Sequence, residues 1–388
     1  MKKFGTRSFI LVAIGFILGM SEFIMVGILN DLSASFHVGI SDVGFLVTLF
    51  AIVYAIATPI LTILVGSHRL YRVMILLLGI FIAANALTAI APNYTILTLS
   101  RILTAIVSGI TVSIAITFSA VIAPREKRAW LVSWVFSGFS IASVFGVPIG
   151  TWLSDKFGWR IVFWLIVVIS ILFTILFMLS LPTDIRQGKM DHFTQQFAIF
   201  KDKRILLGIL LPTLNLGGVY VVYTYLRPII VSGLGFPTAF VTPILFVYGF
   251  ASLASNQISG RLANYDGLKT MTKVYLLQIV TLVALPLLFG LPWIALISLI
   301  ILGFTMYLQN SPMQMFYLEV AETDYPQSMV MSSSLNSIFS NVGIAVGSAT
   351  GGLMVNATGL KSLGIGGAIY TIAALAVLVV LNKVRKVR

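Results

Sequence analysis

Twelve apolar runs, each about the length a helix needs to cross a bilayer, follow one another along the chain at about 8–28, 41–65, 72–91, 95–121, 129–152, 161–181, 205–233, 239–262, 272–291, 293–317, 327–355 and 361–382. In oil a segment must satisfy its own backbone polar groups, so runs of this length predict helices rather than loops or open strands. The expected fold class is therefore all-α and integral to the membrane, with twelve transmembrane helices. Of the 388 residues, 59% are hydrophobic and 10% charged, whereas a soluble domain is about 25% charged. One water-soluble core would not hide that much apolar surface. The first run lies behind Lys2, Lys3 and Arg7, is longer than a signal-peptide core and leads to no cleavage site before a soluble domain, so it reads as a retained helix.

The chain has no cysteine, which excludes disulfides, thiolate metal sites and cysteine nucleophiles. Its three histidines, His37, His68 and His192, are far apart in sequence. No Walker-type Gly-Lys-Ser/Thr loop is present, so ATP drive has no support. The expectation is a protein that is not an enzyme, with no metal.

The net charge of +13 follows topology. With the N-terminus in the cytoplasm, the inner segments carry Lys2, Lys3, Arg7, Arg69, Arg72, Arg125, Lys127, Arg128, Arg186, Lys189, Lys201, Lys203, Arg204, Arg261, Lys269, Lys273, Lys383, Arg385, Lys386 and Arg388. The outer side carries only Lys156, Arg160, Arg227 and Lys361. Cytoplasmic loops hold the excess of Lys and Arg, so both termini are expected inside a cell (inner, cytoplasmic) membrane. The positive charge matches anionic inner-leaflet lipid; nucleic acid is not an expected partner.

The longest polar stretch, 182–204, divides six runs from six. It predicts an N-terminal six-helix bundle (1–181), a cytoplasmic linker (182–204) and a C-terminal six-helix bundle (205–388). The halves echo one another: Gly146, Gly150 and Gly158 match Gly347, Gly351 and Gly359, each pair offset by 201 residues. Repeats about an axis along the membrane normal are one architecture of transporters.

Several local stretches carry a resemblance. Gly19-Met20-Ser21-Glu22-Phe23 runs into Gly27-Ile28-Leu29-Asn30-Asp31-Leu32, and Ser100-Arg101-Ile102-Leu103-Thr104-Ala105 opens the fourth run. Gly138 precedes Gly146-Val147-Pro148-Ile149-Gly150, Gly158-Trp159-Arg160 follows, and the seventh run holds Tyr223-Thr224-Tyr225-Leu226-Arg227-Pro228. Over essentially the whole chain this resembles the major facilitator superfamily, and within it the drug and sugar efflux proton antiporters. Departures are visible. Thr104 and Ala105 stand where the buried-arginine motif has Gln and Gly. The loop Gly66-Ser67-His68-Arg69-Leu70-Tyr71-Arg72 lacks the family's aspartate, leaving Arg69 and Arg72 to hold span ends together. The second-half copy has Asn264 at the acidic position. The resemblance implies two pseudo-symmetric six-helix bundles enclosing a midplane cavity.

A charge deep in a bilayer is costly and seldom idle. Glu22 and Arg101 lie inside spans, and their depths match in the outer half of the membrane by topology alone. A carboxyl there is caught between burial, which favours its neutral form, and a nearby guanidinium, which favours the ionised one. Glu22 is accordingly the candidate proton-coupling or substrate-binding acid, with Arg101 as partner and Asp31, near the outer interface, as competitor. The plainer alternatives are a structural ion pair for Glu22 and snorkelling to the outer surface for Arg101.

Gly138, Gly146 and Gly150 leave a nearly side-chain-free stripe for close helix packing, and Pro148 predicts a bend. Polar groups inside spans are costly against lipid tails. Tyr54 and Asn85, and in the second half Asn215, Tyr220, Tyr223, Tyr225, Gln309, Asn310, Gln314, Asn336 and Asn341, are read as cavity-facing or as interhelical glue. Candidate substrate contacts are Tyr54, Asn85, Tyr220, Tyr223, Tyr225, Asn310, Gln314, Asn336 and Asn341, suited to a sugar, nucleoside or amphiphilic drug. The expected function is a monomeric secondary transporter that exports a small amphiphilic or sugar-like compound, with protons as partner and the proton gradient in place of any cofactor. The alternative is a sugar or nucleoside importer or uniporter of the same fold.

Overall fold

The structure, a computed structural model, describes residues 2–65, 68–124, 127–184, 193–263 and 267–386. Arg125, Arg186, Lys189, His192, Gly66, Ser67, Asn264 and Arg388, invoked above, lie outside the described residues. The described chain is helical throughout, and twelve segments are long and apolar enough to cross a membrane.

Contacts divide it into two compact units, residues 1–38 with 49–190 and residues 39–48 with 191–388. The first contains α1 (Lys2–Gly27), α2 (Leu29–Phe36), most of α3 (Ile40–Val65), α4 (Leu70–Ala89), α5 (Tyr94–Ile122), α6 (Arg128–Ile141), α7 (Val147–Phe157) and α8 (Trp159–Ser180). The second holds the start of α3, then α9 (Lys203–Tyr223), a single turn α10 (Leu226–Pro228), α11 (Val241–Leu262), α12 (Gly267–Ala284), α13 (Pro292–Thr305), α14 (Asn310–Asp324), α15 (Met329–Thr358) and α16 (Leu363–Lys386).

In the first unit α1 packs against α5, α6, α7 and α8. The reason for its close fit to α6 is backbone exposed on both sides: a methyl at Gly138 would lie 2.6 Å from the Val12 carbonyl oxygen and 2.7 Å from the Phe16 nitrogen. Only hydrogen fits. Gly146 faces Met20, and Gly150 faces Ile24 and Val162, so the stripe turns toward the helix that carries Glu22. Pro148 has no N–H, and its ring crowds the carbonyl one turn back. The chain widens there into a π-helical turn, Ala142–Gly146, just before it, as such bulges do.

The second unit repeats the arrangement. α15 packs on α9, and Gly347 meets the backbone of Gly217. Gly158 and Gly359, paired by the sequence offset, end α7 and α15 with φ of 85° and 79°. That region favours glycine, so the repeat is a repeat of backbone geometry.

Two expected spans are not continuous helices. The seventh, expected over 205–233, ends regular α-helix at Tyr223 and continues as α10 and a π-helical turn, Ile229–Gly233. The tenth is interrupted between Thr305 and Asn310. Arg227, counted above with the outer cations, is 3% exposed, folded into the packed end of span seven.

Candidate functional site

Asn93 starts α5 by accepting the Ile96 N–H at 2.9 Å, an ordinary N-cap. Two turns on, Arg101 is 1% exposed. Its guanidinium lies over the rings of Phe50 and Phe163, at 5.1 and 5.8 Å from their centroids, an arrangement that favours a desolvated cation. Nη2 donates to the Ser21 carbonyl oxygen at 2.7 Å and Nη1 to Ser21 Oγ at 3.2 Å. Ser21 Oγ donates to Asn85 Oδ1 at 2.8 Å, and Asn85 Nδ2 donates to the Phe81 carbonyl. Arg101 thus points inward, and snorkelling is excluded.

Glu22 follows Ser21 on α1 and is half-buried. No ion pair joins it to Arg101 among the described residues. Tyr54 is buried, with its ring 6.4 Å from that of Phe50 and Ala105 beside it. The fold therefore links Tyr54, Asn85 and Arg101 through Phe50 and Ser21, with Glu22 adjoining. Asp31 sits beyond the break at Ile28, on α2, and receives the Ser154 hydroxyl at 2.5 Å. Arg69 and Arg72 are exposed. Between them Tyr71 joins two span ends: it donates to the Met178 carbonyl at 2.9 Å and stacks on Phe177.

A crevice lined by Ile14, Ile17, Leu18, Leu78, Phe81, Phe173, Ser170 and Thr174 lies in the same unit. The Ser170 and Thr174 hydroxyls bond carbonyls of their own helix, so it offers a solute little but hydrocarbon.

In the second unit Tyr223 stacks on Tyr248, with centroids 5.2 Å apart and planes at 24°, and Tyr220 meets Tyr223 edge-on at 5.1 Å. Tyr248 is a member that sequence reasoning passed over; its only signal was an aromatic within the eighth span. Tyr225 is fully buried against Gly351 and Gly352, a space-filling position. Asn341 is 8% exposed and its Nδ2 donates to the Ser337 carbonyl of its own helix. Asn310, Gln314 and Asn336 are half-buried, with Asn310 and Gln314 one turn apart on α14. At the end of α14, Asp324 pairs with Arg204, which also pairs with Asp202 at 2.6 Å.

The Major Facilitator Superfamily profile matches residues 11–332. The chain belongs to the major facilitator superfamily. It is a multi-pass membrane transporter and not an enzyme. It is 32% identical to the MFS-type transporter YtbD of Bacillus subtilis over 347 residues, which cover 89% of this chain and 87% of that one. It is 32% identical to the inner membrane transport protein YdhP of Escherichia coli over 378 residues, covering 97% and 95%. A protein described as a probable sugar efflux transporter, from Helicobacter pylori, is 28% identical over 369 residues, covering 95% and 93%. The crystal structure of a D-xylose-proton symporter superposes with a TM-score of 0.74 at 17% identity, covering 96% of each chain; the fold is shared.

Proposed function

We propose that this transporter exports a small amphiphilic or sugar-like compound in exchange for protons, working by alternating access between bundles 1–181 and 205–388. It acts as a monomer in the cytoplasmic membrane, with both termini inside. One observation carries the reading. Arg101 is held by the Ser21 carbonyl and two aromatic rings rather than by Glu22. The acid beside it can then gain or lose a proton without breaking an ion pair. An intramembrane carboxyl so placed is a functional group by default. The direction and the sugar-like substrate lean on the Helicobacter pylori relative and on the amide and phenol groups of the second unit.

The test is transport into proteoliposomes with an imposed pH gradient, screening sugars and amphiphilic drugs while internal pH is followed. Wild-type protein moves substrate against its gradient and protons the other way. Glu22→Gln loses uphill transport and proton movement but keeps substrate exchange. Uphill, proton-driven transport by Glu22→Gln at the wild-type rate would remove the proposal.

A further inference from the structure

Span ten is a 33-residue segment, Pro292–Asp324, interrupted near its middle. Pro312 contributes, because it has no N–H for the carbonyl of Leu308. The surrounding helices answer for much of what the break sets free. Ser255 Oγ accepts the Tyr307 N–H at 3.0 Å and Ser259 Oγ accepts the Ser311 N–H at 2.8 Å. These serines are one turn apart on α11. Asn215 Nδ2, from α9, donates to the Met306 carbonyl at 3.1 Å. The Tyr275 hydroxyl, from α12, donates to Gln309 Oε1.

Polar atoms are left over at the break and on the α12 helix beside it. Gln309 Nε2 and Asn215 Oδ1 have no protein partner, nor do both amide atoms of Gln278, one turn along α12 from Tyr275. Asn215 and Gln309 are 1% exposed and Gln278 is 0% exposed. Native interiors leave few such groups, and the two serines show that this region can satisfy a broken helix when nothing else is to bind. The remainder is balanced, with amide donors and amide acceptors, and none of these side chains carries a charge. A cation takes acceptors only, and the amide donors of Gln309 and Gln278 would stay unpaired beside it. A hydroxyl both donates and accepts at one atom, and it suits the set. The break is not sealed from every side, since Tyr307, Asn310 and Ser311 beside it are partly exposed. Discontinuous helices near the bilayer midplane are where transporters bind solutes.

From this we infer that the break in span ten is a hydroxyl-binding subsite, in which Gln309 Nε2 donates to, and Asn215 Oδ1 accepts from, the hydroxyls of a neutral polyol, with Gln278 completing the α12 side. It names the chemistry of the substrate and rests on the export reading for the substrate's direction. Water offers the same hydroxyl chemistry, and the experiment separates the two.

Full-length protein in detergent is titrated with radiolabelled D-xylose and D-mannitol by equilibrium dialysis, with no gradient present. Wild type binds at least one of them saturably. Asn215→Leu and Gln309→Met each weaken that binding roughly tenfold or more, as loss of one hydrogen bond of this kind does, while keeping a sharp thermal transition. Gln278→Met answers the same question should Gln309→Met fail to fold. If wild type binds neither polyol, or if the folded variants bind as well as wild type, water is the occupant and the subsite is overturned. The readout is independent of Glu22. Proton-driven export without polyol binding overturns the subsite alone, and polyol binding without proton-driven export overturns the export reading alone.

Discussion

The guanidinium of Arg101 is bound to the carbonyl oxygen of Ser21, at 2.7 Å, and not to the carboxyl of Glu22, the next residue along α1. A buried cation held by a backbone oxygen and two aromatic faces keeps its position whatever the protonation state of the neighbouring acid.

Arg101→Cys gives a protein with a single thiol, since the natural chain has no cysteine. At a position 1% exposed, it is expected to react far more slowly with a membrane-impermeant thiol reagent than Phe157→Cys, at a residue 68% exposed. Equal and immediate labelling of the two would contradict the buried placement.

Gly138→Ala forces a methyl against the backbone of α1, 2.6 Å from the Val12 oxygen, and neither backbone can step aside cheaply. A loss of about 1–3 kcal/mol is expected, read as a lower melting temperature in detergent. Gly79→Ala is the control: nothing lies within 4 Å of the added carbon, and alanine is the better helix former by about 1 kcal/mol. It should be neutral or stabilising. The same destabilisation in both variants would argue against close packing as the cause.

Asp202 does two jobs for Arg204. It caps α9 by accepting the Arg204 N–H at 2.8 Å and pairs with the Arg204 side chain at 2.6 Å. Asp202→Ala is therefore expected to cost about 1–3 kcal/mol. Asp324→Ala, at a more exposed pair, should cost less than about 1 kcal/mol. Thermal unfolding at low and high salt checks this, with only the Asp324 part fading in salt; the reverse ranking is the result to look for against it.

Tyr223 stacks its ring on Tyr248. Tyr223→Phe should transport substrate at near the wild-type KM, whereas Tyr223→Ala, losing about 0.5–1.5 kcal/mol of ring contact, should raise KM several-fold. A Phe variant as impaired as the Ala variant would point to the phenol oxygen instead.

The twelve spans were legible because the hydrophobic length needed to cross a bilayer is a one-dimensional property. Glu22 and Arg101 were legible for a related reason: a charge inside an apolar run stands out whatever surrounds it. The burial of Arg227 was not legible, because it follows the regular part of span seven. Whether a cation at a helix end reaches water depends on what packs over it, here the turn at Leu226–Pro228 and the π-helical turn after it. The interruption of span ten was equally hidden. Pro312 hints at it, but Ser255 and Ser259, which make it tolerable, come from another helix.

By itself, then, the amino-acid order determined the fold class, the number of crossings, the paired glycines of the two halves and the in-span positions of Glu22 and Arg101. Tertiary structure alone decided that Arg101 binds the Ser21 carbonyl rather than the Glu22 carboxyl, that the glycine stripe faces α1, and that a broken helix takes hydrogen bonds from three others. Apolar length and in-span charge are governed by transfer from water to oil, which each segment undergoes on its own. A hydrogen bond between side chains 80 residues apart exists only once packing has brought their helices together.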